Sequence, residues 1–60
     1  MIDREIHFHD RYGYYNYVKV PDGMRINLGD KVSHLCDYMV IVEVRHEIED
    51  AKTIYIAKEQ

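Results

Sequence analysis

The sequence predicts an all-β protein, a small antiparallel meander of five to six strands closing into a barrel. Three observations predict it. β-Branched and aromatic residues recur with period two, and helical periodicity is weak. Two short stretches, "DRYGY" and "VPDGM", have the form of three-residue hairpin loops with glycine third. The run "YMVIVEVRH", Tyr38 to His46, is too rich in valine and isoleucine for a loop.

The elements follow in order. With Arg11, Tyr12 and Gly13 as a loop, Asp10 faces Tyr14. The register then sets Phe8 against Asn16, Ile6 against Val18 and Arg4 against Val20 on one face. On the other face His9 opposes Tyr15, His7 opposes Tyr17 and Glu5 opposes Lys19, a pair of opposite charge. The second loop, Pro21 to Gly23, sets Val20 against Met24, Val18 against Ile26, Asn16 against Leu28 and Tyr17 against Asn27. The two loops agree on an aliphatic face (Ile6, Phe8, Val18, Val20, Met24, Ile26, Leu28). They also agree on a polar-aromatic face (His7, His9, Tyr15, Tyr17, Lys19, Arg25, Asn27).

Gly29-Asp30 is a turn signal, Lys31 to Leu35 a short strand, and Cys36 and Asp37 the next turn. In the long strand Val40, Val42 and Val44 mark one face, and Met39 and Ile41 make its start apolar on both. "EIEDA" is a charged loop. Thr53 to Lys58 is the last strand, with Val44 facing Ile54, Val42 facing Ile56, and Glu43 meeting Tyr55. Such a sheet curls around one core. The stretch "INLGDKVSHLCDYMVIVEVRH", about half the chain, resembles SH3-like small barrels. In many of these an apolar-Gly-Asp-x-Val segment opens a strand, followed by a tight turn and a long valine-rich strand; Leu28, Gly29, Asp30 and Val32 match. The resemblance implies an SH3-like barrel, a fold used mostly for binding, and no chemistry. A set for binding PxxP peptides is not recognisable, since the chain has no tryptophan.

Sixty residues make a single domain, 1–60, that buries only about 60% of its unfolded surface and is marginal alone. One cysteine forms no internal disulfide, so the chain reads as reduced, and cytoplasmic localisation is expected. The start, "MIDREIHFHD", lacks the apolar core of a signal peptide, and no apolar run is long enough to span a bilayer. Eleven acidic residues against eight basic ones give a net charge of −3, which opposes general binding to nucleic acid or an anionic membrane.

Among the chemical constellations, His7 and His9 project from one strand face and Glu5 shares it, a partial metal-ligand set lacking a clear further ligand. The bland reading, two histidines on an open hairpin face, outweighs it, and no cofactor is expected. Cys36 with His34 is the only local nucleophile–base pair. The cysteine falls in a turn, where an inert thiol is expected. Glu47, Glu49 and Asp50 read as a solvated loop, and no glycine-rich phosphate cradle exists. The chain is not expected to be an enzyme.

The tyrosines carry the functional reading. Tyr15 and Tyr17 lie on the face away from the aliphatic residues, and Tyr12 at the loop tip. The expected site is His7, His9, Arg11, Tyr12, Tyr15, Tyr17, Lys19, Arg25 and Asn27. Tyrosine and arginine are enriched at interface hot spots, so the expectation is a small protein-interaction module. The small size and acidic composition alone suggest a phage-encoded or accessory protein that binds and regulates a larger one. A homodimer through the same face would also relieve marginal stability. The alternative is single-stranded nucleic-acid binding, with the rings stacking on bases between Arg11, Lys19 and Arg25.

Overall fold

A computed structural model describes residues 3–13, 15–34 and 37–59, and the side chains of all but 34 and 37. Among these residues there are five strands: β1 (Asp3–His9), β2 (Tyr15–Lys19), β3 (Lys31–His34), β4 (Asp37–Glu47) and β5 (Lys52–Lys58). They form one sheet in the order β2-β1-β5-β4-β3, curled into a half-barrel. Among the described residues there is no helix.

The first hairpin has the expected register throughout: Glu5↔Lys19, Ile6↔Val18, His7↔Tyr17, Phe8↔Asn16 and His9↔Tyr15. The Arg4–Val20 pair extends it, with the Val20 N–H donating to the Arg4 carbonyl at 2.9 Å. The loop has the chemistry that its sequence requires. Gly13 adopts φ 87°, its N–H donates to the Asp10 carbonyl, and the Asp10 carboxylate accepts the Tyr12 N–H at 2.9 Å. The expected facing of Asp10 and Tyr14 lies outside the described residues, as do Leu35 and Cys36.

The meander stops there, which corrects the expected antiparallel topology. β2 is an edge strand, and the segment 20–30 is irregular backbone with turns at 22–23 and 28–29 instead of a strand. The Pro21–Gly23 bend exists, with Gly23 at φ 86° and the Met24 N–H donating to the Pro21 carbonyl at 3.2 Å. The chain beyond it does not return along β2. Arg4 explains why, because its guanidinium donates to the Met24 carbonyl at 2.5 Å and the Pro21 carbonyl at 3.1 Å. These charged hydrogen bonds hold the bend against β1. Val20 and Ile26 join the core, while Met24, Leu28 and Val18 are exposed. The segment then closes through Asp30, whose carboxylate accepts the Asn27 N–H at 2.8 Å. It docks on β4 by Gly29 N–H to Ile41 carbonyl (2.8 Å) and Ile41 N–H to Asp30 carbonyl (2.9 Å).

The place by β1 left free is taken by β5, which pairs parallel to β1 and antiparallel to β4. The sheet is therefore mixed, with five strands and open edges at β2 and β3; it is neither all-antiparallel nor a closed barrel. β5 is buried on both faces from Thr53 to Ala57, the pattern of a central strand. Its register against β4 differs from expectation by one residue, with Val44↔Tyr55 and Glu43↔Ile56. Two local features set the shift. The connecting turn spans residues 48–51 and ends with Ala51 in the left-handed region (φ 52°), and an irregularity between Ile41 and Glu43 leaves Val42 without a partner. Asp37, expected in a turn, opens β4.

Paired neighbours share a face, so the core face is Ile6 with Tyr55 and Phe8 with Ala57, joined by Ile41, Met39, Val20 and Ile26. Val44 packs against this cluster, away from Val42, because the bulge separates the two valines. Replacing Arg4 with methionine keeps its bulk and removes both hydrogen bonds to the bend. We expect a loss of about 1–2 kcal/mol in urea unfolding. A free energy unchanged within error would show that the bend holds itself.

Candidate functional site

The face opposite the core is built by alternation. β1 contributes Glu5, His7 and His9, β2 contributes Tyr15, Tyr17 and Lys19, β5 contributes Ile54, Ile56 and Lys58, and β4 contributes Glu43 and Arg45. The rings form one cluster. His7 lies 5.3 Å from Tyr15 and 5.4 Å from Tyr17 between centroids, His9 lies 5.0 Å from Tyr15, and the tyrosines are 6.4 Å apart. The His–Tyr15 contacts are edge-on, the geometry that the ring quadrupole favours. Tyr15 and Tyr17 are each 54% exposed, so the cluster is a surface and not a second core.

Beside it runs a groove of about 410 Å³. Ile54 and Ile56 give it an apolar floor with Val42, and Tyr15, His7, His9, Glu43, Arg45 and Lys58 complete the lining. Val42 lines the groove because of the bulge and is half exposed there.

Under the rings lies a hydrogen-bonded chain. The buried Glu5 carboxylate binds His7 Nε2 at 2.9 Å through Oε1, and its Oε2 faces Lys52 Nζ at 3.6 Å. His7 Nδ1 meets the Tyr15 hydroxyl. An ionised carboxylate only accepts, so the neutral imidazole carries its proton on Nε2 and Nδ1 accepts from Tyr15. The hydrogen bond from His7 holds the Glu5 carboxyl below its ordinary value of 4.5; burial opposes this, and the charge of Lys52 adds to the lowering.

The expected site residues are only partly gathered. His7, His9, Tyr15 and Tyr17 form the cluster, and Lys19 is exposed beside it as the partner of Glu5. Tyr12 stands 79% exposed at the loop tip. Arg11 is turned to Glu59, with Nε 2.7 Å from Oε2. Arg25 and Asn27 belong to the non-strand segment, so the register expected to bring Asn27 against Tyr17 is not formed. Both ring nitrogens of His7 are engaged, and among the described residues no three His, Cys, Asp or Glu side chains are arranged to hold a metal ion. His46 lies on the core side, with Nδ1 3.2 Å from the Thr53 hydroxyl. The expected Cys36–His34 pair lies outside the described side chains.

The sequence reading missed the groove, because it placed Ile54 and Ile56 against Val44 and Val42. The run "TIYIA" carried the signal: five consecutive residues with little polar content mark a strand covered on both sides. Against protein-family models, curated proteins and solved structures, the chain finds no match. Among the described residues, no helix is long and apolar enough to cross a membrane.

The lowered pKa of Glu5 has a definite pH signature. Its contribution to stability is complete above about 4.5, the ordinary value, and is lost as pH falls through the lower folded-state value. Glu5→Gln should therefore be less stable than the parent at pH 7, with the gap closing below pH 4.5 in urea titrations. A gap constant from pH 7 to 3 would place the carboxylate outside the acid limb.

Proposed function

We propose that this chain is a non-enzymatic protein-interaction module, an accessory or phage-encoded regulator of the SH3-like small-barrel kind, that binds a larger protein through the His/Tyr face. The observation that carries the reading is the half-exposed pair Tyr15–Tyr17, stacked on His7 and His9 at the lip of a groove floored by isoleucines. A rigid aromatic surface beside an apolar slot, with a polar rim, is the anatomy of an interface hot spot. His7 fixes the Tyr15 hydroxyl and Glu5 fixes His7, so ordering these side chains costs little on binding. Ile48, 85% exposed in the acidic turn after β4, offers a second contact.

Charge favours a protein over nucleic acid as partner. Arg11 faces Glu59, Arg45 faces Glu43 and Lys52 faces Glu5, so three cations near the face are already neutralised by carboxylates. A stacking platform for single strands needs such charges free for phosphates.

The test begins with proteins retained by the immobilised chain and continues with the purified partner. Tyr15→Ala/Tyr17→Ala, checked for an unchanged strand spectrum, should weaken that complex at least tenfold, about 1.4 kcal/mol. Full affinity in the double variant would mean that another face binds. Salt-dependent binding of oligonucleotides by the parent, abolished in the double variant, would instead establish the nucleic-acid reading. A dimer in sizing that dissociates on the same substitutions would make a second copy the partner.

Acidification should also weaken the complex. A protonated imidazole must donate at Nδ1, which turns the Tyr15 hydroxyl from donor to acceptor toward His7 and changes what it offers a partner. Affinity is expected to be lower in acid than at neutral pH, and an affinity indifferent to acidification would rule out a part for the imidazoles.

A further inference from the structure

We propose that Tyr15 is a nucleophilic site that accepts an acyl group from an activated carboxylic ester, with His7 as its general base and Glu5 positioning the imidazole. This goes beyond the interaction reading and does not depend on it. The chain Glu5–His7–Tyr15 has the order of parts that activates a weak nucleophile: a carboxylate fixing the imidazole tautomer, an imidazole whose other nitrogen is an acceptor, and a hydroxyl that donates to that nitrogen. Glu5 Oε1 lies 2.9 Å from His7 Nε2, and Lys52, 3.6 Å from the other oxygen, keeps the carboxylate charged.

The surroundings suit an acyl donor. The phenol lines a groove whose floor, Ile54, Ile56 and Val42, accepts a short hydrocarbon chain, while Lys58 lines the same groove as a cation for developing negative charge. In the step, the Tyr15 oxygen attacks the ester carbonyl carbon and its proton passes to His7 Nδ1. The ester C–O bond breaks and the alcohol portion leaves as its oxyanion. The imidazolium then returns its proton to solvent or to the leaving group. The product is an O-acyl tyrosine, and no oxidant or reductant is needed.

The probe is 4-nitrophenyl acetate, followed by nitrophenolate release and by peptide mass spectrometry. Exposure alone ranks Tyr12 (79%) and Tyr38 (75%) ahead of Tyr15 and Tyr17 (54% each). The proposal reverses that order: Tyr15 should be acylated at least tenfold faster than any of the three, giving a hydroxylamine-labile ester. His7→Ala should bring Tyr15 down to the Tyr17 rate, and added imidazole should restore it. Glu5→Gln should slow only Tyr15 and move the midpoint of its pH–rate profile downward, since the lost carboxylate no longer supports the imidazolium. The other titratable groups near His7 and along the groove (His9, Tyr17, Lys58, Glu43 and Arg45) are kept in that variant, while Lys52 loses the carboxylate it faces. Equal rates at Tyr15 and Tyr12 in the parent chain overturn the proposal without any variant. So does an acyl group carried by His9 or Lys58 in place of Tyr15, or a Tyr15 rate indifferent to His7.

Discussion

The structure depends on one placement: the last strand lies between the first and the fourth. Ala57 is fully buried and Ile41, its partner on β4, is 1% exposed, so the most deeply buried pair among the described residues sits across that junction. A central strand must be apolar on both faces, and β5 is. One face, Tyr55 and Ala57, completes the core with Ile6 and Phe8. The other, Ile54 and Ile56, becomes the floor of the groove. Core and groove are thus two sides of one strand, and a substitution on either side is felt by the other through the shared backbone.

The same placement explains the buried carboxylate. Glu5 pairs with Ile54 on one side and Lys19 on the other, which removes it from water. A buried carboxylate is tolerated only with partners that favour its charge. It has His7 on its own strand and Lys52 at the start of β5. His7 in turn is held on both nitrogens, and the second of those bonds sets Tyr15. The strand order buries the acid, the acid orients the base, and the base orients the phenol. The aromatic face is ordered from below, beginning at a carboxylate that is itself buried.

What the sequence could reveal divides along the range of the interactions. The first hairpin was legible to the residue because a glycine-closed loop fixes its own register within a few positions. That local rule also sorted His7, His9, Tyr15 and Tyr17 correctly onto the outer face. The second glycine loop obeyed the same rule only as a bend. Arg4, seventeen positions before Pro21, captured its carbonyls, and loop chemistry alone carries no trace of such a partner. The parallel pairing of β1 with β5 was illegible because it joins the two ends of the chain with no turn to announce it. The β4–β5 register failed for a third reason: a single bulge reverses parity, and "MVIVEV" looks the same with or without one.

The open edge at β2 bears on how the aromatic face is used. The Arg4–Val20 hydrogen bond, just past the end of β2, fixes which residues of β2 direct their backbone toward β1, namely Val18 and Asn16. Tyr15, Tyr17 and Lys19 direct theirs outward, so the edge lies on the same residues as the rings. A partner strand would need the central outward donor, the Tyr17 N–H, but the Asn16 side-chain oxygen already accepts it at 2.8 Å. Capping an edge donor with a neighbouring side chain is one way in which a sheet discourages strand addition. The backbone edge is therefore blunted at its midpoint while the side chains of the same residues stand half exposed on the face. For the interaction proposed above, this arrangement favours side-chain packing across the rings over sheet extension.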